Sequence, residues 1–420
     1  MRRISPDGET LTLDIPPAAR PVVRAPAIFR GDARFYLDLS RLMSRMHQPA
    51  PTGVDRVEMA YATHLPQMLG KTLGFVARHP TGLFGRLDPS DVAFFLEREQ
   101  AKWTSGRPYG LAASVEPFLR TMPRLSAPAP GGTLILASPS NLHRPARFAR
   151  MNRTLGTRTV ALVHDLIPLT HPEYARPAGT ARHHCRLETL KRQTAALVTN
   201  SAATAVELAQ FWQGERHPAI HASRLGIDVP PLGHRAQRKR PFFICVSTIE
   251  PRKNHMLLLQ IWRRFAETMP ADAIPELLVV GRRGWENEHI LKMLERGPLT
   301  RPHVRELGPL PEPELHALIR GARALLMPSF AEGFGLPVAE ALSLGTPVIA
   351  SDLPAHHEAG ADVPEFLGPL DGEGWAQAIL DYTCDSGRRA AQMSRMTKWR
   401  APDWRSHLET VISVAETVTA

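Results

Sequence analysis

Only three cysteines occur in 420 residues, Cys185, Cys245 and Cys384, and none belongs to a CxxC pair. Such scatter argues against a disulfide framework or a zinc site. Aromatic residues make up 6% of the chain, and the two basic clusters, His183 to Arg192 and His234 to Arg240, are not interleaved with them. A stacking platform for single-stranded nucleic acid is therefore absent, and the clusters read as a solvated helix face and a solvated linker. No apolar run reaches the roughly 18 residues needed to cross a bilayer, and the opening MRRISPDGETLTLDIPP lacks the apolar stretch of a secretory leader. The expectation is a cytoplasmic protein. No clear GxGxxG follows the early strands, which argues against an NAD-linked oxidoreductase.

What is present is ordinary globular composition, 43% hydrophobic and 22% charged, on a chain long enough for two domains. Residues 1–32, rich in Pro and Arg, read as a poorly ordered arm. Strand candidates then alternate with helical stretches. They are Arg34 to Ser40, Thr72 to Ala77, Thr133 to Ser138, Thr159 to His164, Ala196 to Asn200 and Ile220 to Leu225. Residues 231–240, within DVPPLGHRAQRKRP, read as a linker. Beyond it the rhythm resumes with Phe242 to Thr248, Leu277 to Gly281, Val304 to Leu310, Ala324 to Ser329 and Pro347 to Ser351. Helices are expected over Val54 to Leu69, led in by Thr52-Gly53, over His255 to Met269 with Asn254 as N-cap, and over Glu312 to Arg320. This alternation predicts two doubly wound α/β domains, 33–230 and 241–399, with ligands outside the carboxyl ends of the strands.

The most informative segment is SFAEGFGLPVAEALSLGTPVIAS, Ser329 to Ser351. A strand gives way to a glycine loop, and Pro337 occupies a first-turn helix position. The N-terminus of that helix favours an anion, and Gly333 and Gly335 allow close backbone approach. Glu332 and Glu340 flank the loop. Acids beside an anion site suit a nucleotide sugar, with Glu332 accepting from sugar hydroxyls and Glu340 from the ribose; a plain phosphate-binding turn with two surface glutamates is the alternative.

This segment resembles the signature of retaining glycosyltransferases of family four, which have the GT-B fold. The similarity extends to VSTIEPRKN (Val246 to Asn254), VGRRG (Val280 to Gly284), ELGPLPEPEL (Glu306 to Leu315), VHDLIPLTHPEY (Val163 to Tyr174) and TGVDRV (Thr52 to Val57). The resemblance implies two Rossmann-like domains facing each other across a cleft, with a C-terminal helix at about 400–420 crossing back to the first. It assigns Arg252 and Lys253 to the donor diphosphate, where their charge would stabilise the leaving group. Ser247 and Thr248 stand where some relatives place another arginine. Gly281, Arg282 and Leu310 fall around the nucleotide base, and Gly333, Phe334, Gly335 and Leu336 form the donor loop. His164 is aimed at the donor sugar, with Asp165 orienting the loop or the ring, and Gly53 approaches the donor phosphate or acceptor. His356 and His357 read as structural or surface residues, and Trp399 and Trp404 as packing anchors.

The activity implied is transfer of a hexose, with retention and without a metal or other cofactor. TGVDRV and VHDLIPLTHPEY look most like bacterial surface-polysaccharide mannosyltransferases, which makes GDP-mannose the first donor candidate. The acceptor would be a glycan or lipid-linked glycan, reached from the inner face of an anionic membrane through the basic helix near Arg182 to Arg192. Nucleic acid is not an expected partner. Competing readings are a GT-B nucleotide-sugar epimerase and a noncatalytic nucleic-acid or glycan binder motivated by the net charge of +10.

Overall fold

The computed structural model describes residues 33–419 except 49, 79–83, 107–115, 118–119, 122–131 and 230–232. The expected N-terminal arm lies outside them. Among the described residues the strands form two sheets. The first contains β1 (Phe35–Asp38), β2 (Leu73–Arg78), β3 (Phe84–Leu87), β4 (Thr133–Leu136), β5 (Arg158–Val163), β6 (Ala196–Thr199) and β7 (Ala219–Ala222), in the order 3-2-1-4-5-6-7. All its pairings are parallel except that of β3 with β2. The second contains β8 (Phe242–Val246), β9 (Glu276–Val280), β10 (Val304–Gly308), β11 (Leu325–Met327), β12 (Val348–Ser351) and β13 (Glu365–Leu367), in the order 10-9-8-11-12-13 and wholly parallel.

Strands β1, β4, β6, β9 and β12 are buried along their whole length. That is why they read as unbroken apolar runs: a parallel sheet carries helices on both faces. In both sheets the order reverses beside the first strand, at β1/β4 and β8/β11, and such a switch point opens a crevice at the strands' carboxyl ends. Strands β3 and β13 escaped the sequence reading. The first, FGRL, carries Gly85 and Arg86 at its centre, and the second has three residues.

Helix Gly53–Leu69 starts with a reciprocal cap, in which Asp55 N–H donates to Thr52 Oγ1 at 3.3 Å and Thr52 N–H to Asp55 Oδ2 at 2.8 Å. Helix His255–Thr268 lacks the expected cap. Asn254 sits at φ 53° with its side-chain amide turned away, donating to Pro369 O at 2.8 Å. The stretch before β8 is largely exposed but anchored at three points: Ala236 is buried, its N–H donates to Ala317 O, and Arg238 and Arg240 pair with Glu276.

The C-terminal helix, Trp404–Thr419, lies on the first sheet, where Thr133 Oγ1 donates to Ala415 O at 3.1 Å and Arg158 to Val418 O at 2.7 Å. Trp404 is buried edge-on to Tyr61, and Trp399 packs against the same core. A Cβ on Gly226 would lie 2.2 Å from Trp404 N, so only glycine allows this crossing.

Candidate functional site

The wall contributed by the second domain is built where β8, β9 and β11 end. After β8 the chain turns through Pro251–Lys253, and Asn254, in the left-handed region, directs it into the next helix. This turn aims Arg252 and Lys253 at the loop that follows β11. Arg252 Nη1 donates to Ala331 O at 2.5 Å and pairs with Glu332 Oε2 at 3.1 Å, while its other face meets Glu250 Oε1 at 2.8 Å. Lys253 Nζ donates to Glu332 Oε1, and so does Ser329 Oγ at 2.7 Å. Glu332 is thus held by three donors with its side chain only 9% exposed.

Burial alone would raise the pKa of that carboxyl. The charges of Lys253 and Arg252 outweigh burial and hold it far below the usual range. Burial, reinforced by Arg252, lowers the pKa of Lys253, whereas Arg252, drawn by Glu332 and Glu250, is raised against its own burial. The four groups balance two positive charges against two negative ones.

The opposing wall comes from the carboxyl ends of β5 and β6. His164 follows β5, and its Nε2–H donates to Ala137 O at 2.8 Å, which leaves Nδ1 as the acceptor nitrogen. Burial lowers its pKa, so the ring is neutral near pH 7. Asp165 orients the loop and not the ring: its Oδ1 accepts from Ile167 N–H at 3.2 Å, and its carbonyl accepts from His183 Nε2 at 3.1 Å.

The two walls touch at Gly333. A Cβ there would stand 2.2 Å from His164 O, and Gly333 O accepts from Ser201 Oγ at 2.9 Å. Glu358 reaches across to accept from Ala202 and Ala203 N–H at 2.7 and 2.8 Å, closing the N-terminus of helix Ala202–Phe211. Tyr174 stacks on Phe330 with ring centroids 5.5 Å apart.

The remaining expected residues divide. Gly335, at φ 100°, begins helix Leu336–Ser343 against His356, Phe334 is buried, and Leu336 lies 3.8 Å from the Cβ position of Gly53. Those residues come together at the cleft. Glu340 accepts from Arg56 at 3.0 Å, and Arg56 also pairs with Glu312 at 3.3 Å. Gly281 has a packing role, because a Cβ on it would fall 1.9 Å from Ser247 O. Ser247 Oγ meets His255 Nε2 at 3.2 Å, and the methyl of Thr248 packs on Gly284. Arg282 is exposed and extends toward Arg45 and Asp55 of the first domain; Leu310 packs against the core. His356 is fully buried with Nδ1–H on Ser351 O, and His357 lies at the surface beside Asp352.

Arg56, Ser201 and Glu358 were not singled out from the sequence, nor were Asn200, whose Nδ2 donates to His164 O at 2.8 Å, and Thr204, whose Oγ1 donates to Gly333 O at 3.4 Å. Ser201 had a signal, since Ser-x-x-Thr before an apolar helix is a cap signature. A cavity of about 230 Å³ is lined by Arg224, Glu358, Arg395 and Trp399 among others, and contains none of the expected catalytic or donor-binding residues.

Residues 233–363 match the family model described as Glycosyl transferases group 1. The chain is 35% identical over 257 residues to the O-antigen chain mannosyltransferase B of Escherichia coli, covering 57% of this chain and 64% of that protein. It is 26% identical over 270 residues to the serotype-specific mannosyltransferase WbdA of Escherichia coli, covering 59% of this chain and 32% of WbdA. The chain therefore spans less than two thirds of the length of these relatives. Anabaena HepE, solved in complex with UDP and glucose, superposes with a TM-score of 0.59 at 14% identity, over 91% of this chain and 99% of that one.

The fold is GT-B. Residues 233–363 resemble the glycosyl transferases group 1 domain, and over more than half of its length the chain resembles O-antigen mannosyltransferases.

Proposed function

We propose that the protein transfers a hexose from a nucleoside diphosphate sugar, GDP-mannose first among candidates, to a hydroxyl of a glycan or lipid-linked glycan, with retention of anomeric configuration, in bacterial surface-polysaccharide assembly. One observation carries the reading: a buried, ionised Glu332 is held by Arg252, Lys253 and Ser329 at the carboxyl end of the second sheet, and the next residue, Gly333, abuts the backbone of His164. Mannosyltransferase relatives support the choice of sugar.

The donor diphosphate takes Arg252 and Lys253 as charge-assisted donors, and their positive charge does the work that a metal would otherwise do. Glu332, relieved of part of its pairing, accepts from hydroxyls of the transferred sugar. Glu340 accepts from the ribose in exchange for Arg56. Neutral His164 stands on the acceptor side. The leaving phosphate takes the acceptor proton in same-face attack, so no protein nucleophile is required. The enzyme works at the inner face of the membrane, where lipid-linked acceptors lie.

The test is turnover of GDP-, UDP- and dTDP-sugars by the full chain, with and without glycan acceptors. GDP-mannose should be consumed only with acceptor. Epimerisation of a donor alone, or no consumption of any donor, overturns the reading.

A further inference from the structure

Five arginines of the first domain lie close enough to repel one another and make no salt bridge among the described residues, with Asp165 acting on Arg186 as the one acid that offsets the repulsion. Arg78 ends β2, Arg144 and Arg147 open helix Pro145–Leu155, and Arg182 and Arg186 belong to helix Gly179–Gln193. His143 lies among them. Other basic residues of the same helix are neutralised, Lys191 by Glu188 at 2.7 Å and Glu215 at 2.6 Å, and Arg192 by Glu188 at 3.0 Å. Arg78 has only a neutral partner, Asn141 Oδ1 at 3.5 Å. Arg186 Nε and His143 Nδ1 are buried with no hydrogen-bond partner.

These groups feel one another. Burial and then Arg147 and Arg144 lower the pKa of Arg78; burial and then Arg186, Arg144, Arg182 and Arg147 lower that of His143; burial and then Arg182 and Arg41 lower that of Arg186 against the opposing pull of Asp165. Fully solvated arginines would be screened, but Arg78, His143 and Arg186 are half-buried, where repulsion is felt. The inner end of the track is fixed relative to the site, because His183, one turn before Arg186, donates to Asp165 O beside His164. Its outer end, Arg144 and Arg147, is exposed.

We infer that this arginine track binds a phosphate or diphosphate group carried by the acceptor, whose hydroxyl is thereby delivered to the His164 side of the cleft. The word acceptor rests on the transferase reading above; the anion site itself does not. Guanidinium forks match phosphate oxygens bidentately, and several at once suit a diphosphate better than a neutral glycan.

The test is calorimetric titration of the full chain with inorganic pyrophosphate while saturating GDP occupies the donor side. One further equivalent should bind, and an Arg144→Gln/Arg186→Gln double variant should weaken it about tenfold or more. Arg153→Gln, at an exposed position near the far end of helix Pro145–Leu155, should leave it unchanged. GDP affinity should be the same in all three proteins. Flotation on phosphatidylglycerol against phosphatidylcholine vesicles separates the sources: loss of flotation in the double variant together with pyrophosphate binding identifies a lipid headgroup, and retained flotation identifies the acceptor's own phosphate. If GDP binds and neither pyrophosphate nor vesicle binding responds to the double variant, the inference is overturned while the donor reading stands. If pyrophosphate binding responds but no nucleoside diphosphate binds, the donor reading fails and the anion site stands.

Discussion

The two walls of the cleft handle charge in opposite ways. On the second domain, Arg252 and Lys253 face Glu332 and Glu250, each within hydrogen-bonding reach, and the set is neutral. On the first, Arg78, Arg144, Arg147, Arg182 and Arg186 stand together without a salt bridge among the described residues, and only Asp165 offsets their charge, at Arg186. A balanced set is rigid before any substrate arrives, which suits a wall that must position a reacting sugar. An unbalanced set is stabilised by an anion brought from outside. The contrast also extends to the carboxyls: Glu332 is driven far down, whereas Asp38, at the end of β1, is driven up to about 6, by burial first and against its hydrogen bonds from Ser40.

Breaking the balanced wall should have the largest effect. Glu332→Ala removes the sugar contact and leaves Lys253 and Arg252 buried side by side. Turnover of GDP-mannose should fall by about 10² to 10³, or ~3 to 4 kcal/mol, the range for losing one preorganised polar group. A urea melt should show a lower midpoint, because the cations lose their partner. Wild-type turnover in this variant would separate Glu332 from the chemistry.

The carboxyls provide a pH test with opposite signs on the two walls. Asp38 has a folded pKa raised from 3.8 to about 6, so its contribution to stability is complete below the unfolded value and is lost as pH rises through about 6. Glu58, pushed well up by burial and then by Asp38, acts in the same sense. Between pH 4 and 6.5, wild type should lose ~2 kcal/mol relative to Asp38→Asn, read from urea midpoints. Glu332, lowered in the fold, stabilises above its unfolded pKa and loses that contribution as pH falls. A flat difference between wild type and Asp38→Asn would show that Asp38 is ionised throughout.

Contact between the walls can be tested at Gly333. An alanine methyl there would meet His164 O, a backbone atom that cannot swing aside. Gly333→Ala should cut turnover about tenfold by holding the domains apart, ~1.4 kcal/mol, with a smaller effect on the melting of either domain. Unchanged turnover would mean the contact is not made during catalysis.

Most of the balanced wall was legible in the sequence, because strand, glycine loop and helix follow one another within Ser329 to Ser351 and the PRK turn follows β8 directly. Local order of that kind survives in one dimension. What was not legible depends on distance along the chain. Arg56 lies within the quoted TGVDRV motif, yet its two partners, Glu312 and Glu340, are brought to it only by the facing of two sheets. The arginine track draws on three separate elements, and HHCRLETLKR read as one solvated face because nothing in its composition separates Lys191 and Arg192, which form salt bridges, from Arg186, which forms none among the described residues. Asn254 misled for a local reason: a capping residue type was present, but its positive φ turned the side chain to Pro369. Strand β3 was missed because an antiparallel edge strand with one covered face needs no apolar run.

The smallest effect expected is at Glu358, which joins the walls through the N-terminus of helix Ala202–Phe211. Its two oxygens accept from Ala202 and Ala203 N–H, so charge and geometry both favour the carboxylate over an amide. Glu358→Gln keeps one acceptor oxygen and loses the charge. The cost should be ~1 kcal/mol, the usual range for a helix cap, which corresponds to a roughly fivefold shift from closed to open domains. Small-angle scattering should record a larger radius of gyration for the variant, and saturating GDP should restore the wild-type value if donor binding itself favours closure. Because Ser201 and Gly333 remain bonded whatever stands at position 358, a variant as open as Gly333→Ala would show that Glu358, and not the glycine contact, governs how the walls meet.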